Sequence, residues 1–557
     1  MEPLKIVIIG GVAGGATAAA KARRTNESAE ITVFEKGPYV SFANCGLPYY
    51  VGETIRERAD LLLQTPERFW KRYRVRVLVR HEVLRVNRST KTVTVRNLET
   101  GAEFQHSYDR LILAPGAGAI VPPLPGIDAS NIFTVKTVPD SDAIRTFLLQ
   151  HSPRRALVVG AGFIGLETAE ALKRRGLDVT IVELVDQVLP SFDPDMAALV
   201  AMHLQEQGLK LVLGDGIRAF HTSNGMAREA ELTSGRRVPC DLVILSIGVR
   251  PELNLAREAG LEIGKAGGIV VNERQQTSDP DIYAAGDAVE TLHLVTGTRM
   301  RIPLAGPANK QGRVAGANAA GGDLRFVGSL GTAIVESMGI TAAKTGLSIR
   351  EALAHGFEAF ESVIHPLDHA EYYPGARPLH LKLIVEQGSG RLLGAQVIGE
   401  DGVDKRIDVL ATALMARMTV TDLEQLDLAY APQFSSAKDA VILAGFVAAN
   451  TVRGEVRTIT CQEVLDKIAA GETFQLLDVR TPQEYDDRHL PGARLIPIDD
   501  LREHLHELDP QQETVVYCKS GLRGYLAARV LLQHGFSRVR NLTGGILICP
   551  EGSPPET

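Results

Sequence analysis

The sequence predicts an α/β chain of several domains, on three observations. A short apolar strand, a glycine turn, an alanine-rich helix and a second strand ending in an acid occur twice, in KIVIIGGVAGGATAAAKARR with Glu35 and in RALVVGAGFIGLETAEALKRRG with Glu183. A stretch with paired apolar strands, LHLKLIVE and LLGAQVIG, and a following helix, VDKRIDVLATALMARM, has no such turn and reads as α+β. After NTVRGEVRTIT (450–460), which reads as a linker, a new compact strand–loop–helix pattern begins in FQLLDVRTPQEYDDRHLPGARLIPIDDL and TVVYCKSGLRGYLAARVLLQHGF. A length of 557 residues suits three or four such domains.

Composition narrows the function. A net charge of −7 gives no reason to expect nucleic acid or an anionic membrane as partner. No uninterrupted apolar run reaches bilayer length, and MEPLKIVIIGG runs straight into a glycine loop without a signal-peptide pattern. Five cysteines, an odd number with no CxxC pair, make neither a disulfide scaffold nor a zinc site, and a reducing cytoplasm is the expected location.

The two repeated turns carry a dinucleotide fingerprint, because a strand before, a helix after and an acid about 20 residues on all accompany the glycines. One glycine permits the tight turn, one lets a pyrophosphate approach the backbone and one lets helix and strand pack closely. The anion then sits at the helix N-terminus, where free N–H groups and the dipole favour it. The second copy is complete, with Gly160, Gly162 and Gly165; the first has Gly10 and Gly15, but Val12 holds the middle position. Two such Rossmann-like sites imply a flavin and a nicotinamide. In TSDPDIYAAGDAV a strand ends at Gly286-Asp287, where Asp287 can meet the ribityl hydroxyls of a flavin.

In this order the elements resemble the two-dinucleotide flavoprotein reductases, the pyridine nucleotide-disulfide reductase family, over residues 4–445. YDRLILAPGA and LVILSIGVRPE resemble its crossings between the two nucleotide domains. The resemblance implies an FAD domain at 1–115 and 285–325, an NAD(P)H domain at 116–284 and a dimerisation domain at 326–449. It implies cofactor contacts at Gly10, Ala13, Gly15, Glu35, Lys36, Val83, Ala114, Asp287 and Ala305 for the first site. For the second it implies Gly160, Gly162, Phe163, Ile164, Gly165, Glu183 and Gly248. A carboxylate at Glu183 repels a 2′-phosphate and favours NADH over NADPH, although Arg174 and Arg175 on the preceding helix weaken that preference.

Cys45, in SFANCGLPYY, is the residue on which the chemistry turns. Dithiol members of the family carry a second cysteine five positions later, and here that residue is Tyr50. A lone thiol beside a flavin can reduce peroxide through a sulfenic acid, or attack a disulfide or persulfide. Peroxidase and oxidase relatives place a histidine in the first glycine loop, where this chain has Ala13. SFANCGLPYY, HAEYYPGA and LDLAYAPQFSSAKD resemble the coenzyme A-disulfide reductases. That resemblance implies a homodimer in which Tyr372 and Tyr430 reach the Cys45 sulfur of the other subunit. It also points to Thr17, Arg24, Ser41, Asn44, Asn309 and Lys438 as coenzyme A contacts. His365 and His369 are four apart, but Pro366 argues against a helix showing both on one face, so no metal is expected.

The last segment, 459–557, resembles a rhodanese domain through its Asp-Val-Arg element, Pro491-Gly492-Ala493 and the CKSGLR loop. A loop between a strand and a helix N-terminus can surround the Cys518 sulfur with N–H groups. The helix dipole and Arg523 also favour its thiolate or persulfide. Cys240, Cys461 and Cys549 read as bystanders. The expected activity is NADH-dependent, FAD-mediated reduction of a persulfide, polysulfide or coenzyme A disulfide at Cys45, releasing sulfide and thiol, with Cys518 accepting sulfane sulfur. A simple coenzyme A-disulfide reductase and a non-catalytic sulfur-relay or sensing module are the alternatives.

Overall fold

The computed structural model describes residues 2–549, so the outer ends of the expected domains at residue 1 and at 550–557 lie outside it. The chain forms two compact units, one of residues 2–186 and 208–331, the other of 187–207 and 332–549.

The first unit holds both repeated turns, each in a five-stranded parallel sheet. Lys5–Ile9 lies at the centre of one sheet, paired in register with Glu30–Glu35 (Ile6 to Ile31) and Arg110–Leu113 (Ile6 to Arg110). Val75–Val79 and Ile282–Ala284 are its edges. Arg155–Val159 is central in the other, between Asp178–Val182 and Leu242–Leu245, with Lys210–Val212 and Ile132–Thr134 outside. Both central strands are apolar almost throughout, as burial on both faces requires. The alanine and glycine content of the first helix, Ala13–Thr25, has a packing reason. Helix Ala305–Ala319 crosses it so closely that a Cβ on Gly312 would fall 2.2 Å from the Gly14 carbonyl, and one on Gly316 2.2 Å from that of Ala18.

The second unit contains the expected α+β pattern. Its antiparallel sheet runs Ala333–Ser337, Ile340–Gly346, Leu392–Gly399, Leu379–Glu386, Ala359–Ile364, and helices Val403–Met415 and Ala440–Val452 pack with it. Residues 187–207 join this unit because their helix, Pro194–Glu206, is bonded to the sheet. The fully buried Lys382 ammonium meets the carboxylates of Asp195 (2.6 Å), Glu361 (2.9 Å) and Asp193 (3.7 Å), while Gln396 donates to Asp193 at 2.7 Å. Burial pushes the Asp193 and Glu361 carboxyls upward, and Lys382 opposes it in both.

A second sheet in this unit, Arg457–Ile459, Val539–Leu542, Thr514–Tyr517, Gln475–Asp478, Arg494–Leu495, is parallel throughout. The stretch 450–460 is therefore not a free linker: it ends one helix at Val452 and supplies an edge strand at Arg457–Ile459. The bystander reading of two cysteines is also corrected. Cys461 and Cys549 are joined as a disulfide with Cα atoms 5.5 Å apart, because parallel pairing of Arg457–Ile459 with Val539–Leu542 brings together segments 88 residues apart. Composition carries no trace of that pairing.

Candidate active sites

Cys45 is exposed and free, in a short 3-10 turn, Asn44–Gly46, that leads into helix Leu47–Val51 with Pro48 in its first turn. Two features fix the turn. The Ser41 amide donates to the Gly11 carbonyl at 2.8 Å, which ties the stretch to the first glycine loop, and Ser41 has φ +48°, a left-handed conformation uncommon for serine. A Cβ on Gly46 would come 2.9 Å from Leu61 and 3.1 Å from Ile55, so packing demands glycine beside the cysteine.

Helix Leu47–Val51 packs on Phe163–Arg174, the helix of the second glycine loop, and the Tyr49 hydroxyl donates to Glu167 at 3.2 Å. Burial pushes the Glu167 carboxyl up to about 7, against the Tyr49 hydrogen bond. The Cys45 thiol is also pushed up, chiefly by loss of water, then by Glu167 and Asp287, with Lys136 opposing. Lys136 Nζ stands 3.8 Å from Asp287, whose own carboxyl burial raises. Glu167, Lys136 and Tyr49 thus belong to the Cys45 neighbourhood, and sequence reasoning missed them. Glu167 was within reach, two residues past Gly165; Lys136 gave no signal.

The glycine loops fit dinucleotides. Gly10 and Gly160 have φ of +93° and +104°, and a Cβ on either would strike the Ala114 or Ser246 carbonyl. Gly15 and Gly165 bring helix against strand, with a Cβ within 2.0 Å of the Gly10 or Gly160 oxygen. Gly162 differs: its φ is an ordinary −78° and a Cβ there would meet nothing within 4 Å, so neither backbone nor packing requires glycine. Open space at that position is what close approach of a pyrophosphate needs. Glu35 accepts from the amides of Gly11 and Gly37 (both 2.6 Å), and Glu183 from those of Ala161 (2.7 Å) and Val185 (3.2 Å). Each acid therefore braces its own turn. Ala13, Ala114, Phe163 and Asp287 are partly buried, Lys36, Ile164, Gly248 and Ala305 exposed, and Val83 packs in the core. Lys36 pairs with Glu82 at 2.9 Å. Thr17 donates to Asn309 at 2.7 Å, which brings together two of the expected coenzyme A contacts. Arg24 returns to the Ala20 carbonyl of its own helix, Asn44 is half-buried and Lys438 exposed.

In the second unit Tyr372 and Tyr430, 58 residues apart, place their hydroxyls 2.7 Å from each other. Both side chains are exposed, Tyr372 at 74% and Tyr430 at 48%. One hydroxyl donates to the other, so the proton of the accepting hydroxyl is not used in that bond; the bond raises the Tyr430 phenol above its ordinary value. His365 and His369 go to different partners: His365 to His380 (2.6 Å) and the Gly544 carbonyl (2.9 Å), His369 to Asp368 (2.9 Å).

Cys518 follows strand Thr514–Tyr517 and precedes helix Leu522–Gln533. The Gly521 amide donates to its sulfur at 3.1 Å, from a left-handed φ of +104°. Arg523 is held by both oxygens of Glu484 at 2.7 Å and also interacts with Cys518. The guanidinium holds the Glu484 carboxyl down to about 2. Glu484 was not anticipated; it shares the positive charge expected to serve Cys518 alone.

Two parallel nucleotide domains, an isolated thiol at their junction and a second thiol that accepts the Gly521 amide in a loop before a helix define a sulfur-handling oxidoreductase with two dinucleotide sites. Family models match residues 4–312 (pyridine nucleotide-disulphide oxidoreductase), 333–441 (its dimerisation domain) and 460–547 (rhodanese-like domain). Among solved structures, the fold is similar to reduced Bacillus anthracis CoADR-RHD, with TM-score 0.95 and 44% identity over 98% of each chain. It is also similar to a NAD-dependent persulfide reductase from A. fulgidus, with TM-score 0.91 and 40% identity over 98% of this chain and 100% of that one. A curated coenzyme A disulfide reductase of Staphylococcus haemolyticus is 37% identical over 80% of this chain and 99% of its own. The chain belongs to the pyridine nucleotide-disulphide oxidoreductase family, carries that family's dimerisation domain and ends in a rhodanese-like domain.

Proposed function

We propose that the chain is a homodimeric, cytoplasmic, NADH-dependent flavoprotein that reduces coenzyme A persulfide and coenzyme A disulfide at Cys45, with Cys518 accepting sulfane sulfur. The observation that carries this reading is a free, exposed Cys45 whose turn is bonded to the first glycine loop, in a chain that also holds Cys518 in a loop where the Gly521 amide donates to its sulfur. Bound FAD supplies the two-electron transfer from NADH to sulfur. The Cys45 thiolate attacks the sulfur that carries coenzyme A, forms a mixed disulfide and expels hydrosulfide from the persulfide, or the second coenzyme A thiolate from the disulfide. Two electrons and a proton then release coenzyme A and restore Cys45. The net change is NADH, a proton and the persulfide to NAD+, coenzyme A and hydrogen sulfide. The O–H that the Tyr372–Tyr430 bond does not use suits stabilisation of a leaving thiolate, supplied by one subunit to Cys45 of the other. Thr17, Arg24, Ser41, Asn44, Asn309 and Lys438 are proposed to hold coenzyme A.

NADH is favoured over NADPH on two grounds. Glu183 faces the turn that would hold the ribose, and neither nearby arginine is uncommitted: Arg174 pairs with Glu170 at 2.6 Å and Arg175 with Glu53. Among the described residues no helix is long and apolar enough to cross a membrane. The test is one steady-state comparison of coenzyme A persulfide, coenzyme A disulfide and polysulfide, reading both sulfide and NADH, in the wild type and Cys518→Ser. Coenzyme A disulfide turnover should survive the substitution and polysulfide turnover should fall. Equal effects on all substrates, or none, would reject the sulfur-accepting role of Cys518.

A further inference from the structure

Neither tyrosine of the Tyr372–Tyr430 pair is held by its own burial. Both are exposed side chains at the ends of loops, and a single hydroxyl–hydroxyl bond does no more than offset the entropy of ordering two such side chains. Their placement must come from the bases of the two loops, and one residue joins those bases. Arg406, on helix Val403–Met415, is 2% exposed. Its Nη2 donates to the Asp368 carbonyl at 2.7 Å, at the base of the loop that carries Tyr372. The same nitrogen reaches the Asp439 carboxylate (3.0 Å), the Phe434 carbonyl (3.4 Å) and Ser435 Oγ (3.5 Å), in the segment that carries Tyr430. Its Nη1 returns to the Gly402 carbonyl at 3.2 Å.

Each base is closed around these contacts. The Asp368 N–H donates to the Arg377 carbonyl at 2.9 Å and the Asp368 carboxylate accepts the Arg377 amide at 2.7 Å, so residues 368–377 form a closed loop. Asp439 caps helix Ala440–Val452 through the Val441 amide (3.0 Å) and accepts from Ser435 at 2.7 Å. One further tie, from the Ala370 amide to the Pro432 carbonyl at 3.2 Å, links the two loops directly. Burial alone would raise the Asp439 carboxyl. The Val441 amide, Arg406, Ser435 and Lys405 outweigh it and keep it ionised, so the guanidinium meets an anion there.

We infer that Arg406 is a positioning residue for the reductase reaction: it sets the distance between the Tyr372 and Tyr430 loops and so prearranges the hydroxyl pair that receives the leaving thiolate. The inference rests on the proposed role of the tyrosines. A planar guanidinium is suited to this task because it donates in several fixed directions from one buried point, which a lysine ammonium on a flexible stem does not reproduce.

The test is a double-mutant cycle in the FAD-loaded full chain, with coenzyme A disulfide as substrate. Arg406→Met should lower kcat about tenfold or more, with KM for NADH and the rate of flavin bleaching by NADH unchanged. In a Tyr372→Phe/Tyr430→Phe background the same substitution should lower kcat less than about twofold, since coupled sites are not additive. Arg406→Lys should recover part of the loss. If Arg406→Met does not fold, Ser435→Ala, which removes a smaller part of the same base, enters the cycle in its place. An undiminished kcat in Arg406→Met, or an equal loss in both backgrounds, overturns the positioning role. A tyrosine pair replaced by phenylalanine without loss of kcat overturns the proposed role of the tyrosines instead, and leaves any Arg406 effect as a matter of folding alone.

Discussion

Glu167 gives the proposed Cys45 site a titration near neutrality, and its size follows from the structure. Burial raises the carboxyl from an ordinary 4.5 to about 7, so the folded protein holds this proton more tightly than the unfolded chain does. At about 1.36 kcal/mol per pH unit the full effect is on the order of 3.4 kcal/mol. The sign follows from linkage. A raised carboxyl contributes stability that is complete below pH 4.5 and is lost as pH rises through 7; of the total, about 2.5 kcal/mol is lost between pH 5 and pH 8. Glu167→Gln keeps an acceptor for the Tyr49 hydroxyl and has no proton to lose. Urea unfolding of the FAD-loaded protein, followed by the release of flavin fluorescence, should therefore show the variant gaining roughly 2–3 kcal/mol on the wild type between pH 5 and pH 8. Since Glu167 also raises the Cys45 thiol, the variant's Cys45 should be alkylated by iodoacetamide at lower pH, read residue by residue by mass spectrometry. A constant difference between the two proteins across that pH range would refute the buried, proton-holding Glu167.

Three further outcomes follow from the second unit. Reduction of Cys461–Cys549, or Cys461→Ser, should lower the melting temperature of the rhodanese-like domain, the chain-entropy value for an 88-residue loop being at most about 4–5 kcal/mol; unchanged calorimetry with and without reductant would deny the bond a structural role. Glu484→Gln removes the carboxylate that holds Arg523 beside Cys518 and should, through lost positioning that outweighs the charge regained, reduce sulfur transfer to Cys518 several-fold while NADH-dependent coenzyme A disulfide turnover continues; unchanged transfer would show that the ion pair does not serve the loop. The same ion pair is partly exposed and stabilises by only about 1 kcal/mol, a contribution present above pH 4.5 and lost as pH falls towards 2, which acid titration of Glu484→Gln against wild type measures.

Much of this arrangement was legible because some positions admit few residues. Gly10 and Gly160 need a left-handed backbone, Gly15 and Gly165 need contact with a carbonyl, and such demands leave a fixed spacing in the sequence. The strands LHLKLIVE and LLGAQVIG and the Cys518 loop were legible for the same reason: period, turn and loop are local. What was not legible depends on partners remote in sequence. Lys382 looks like a surface lysine in an apolar strand, yet three carboxylates bury it and draw residues 187–207 into the second unit. Arg406 sits in a helix whose pattern gives no hint that it spans two loops, and Cys461 finds Cys549 only because two strands pair in parallel. Lys136 enters the Cys45 neighbourhood through the fold of the first unit alone.

Rapid-mixing absorbance on Cys45→Ser tests the central claim most directly. NADH should bleach the bound flavin in the variant as fast as in the wild type, because both glycine loops are untouched. Coenzyme A persulfide or coenzyme A disulfide added next should restore the oxidised flavin spectrum in the wild type, with sulfide released from the persulfide, and should leave the variant bleached. Reoxidation of the variant by either substrate at the wild-type rate would contradict a reaction carried by the Cys45 thiol.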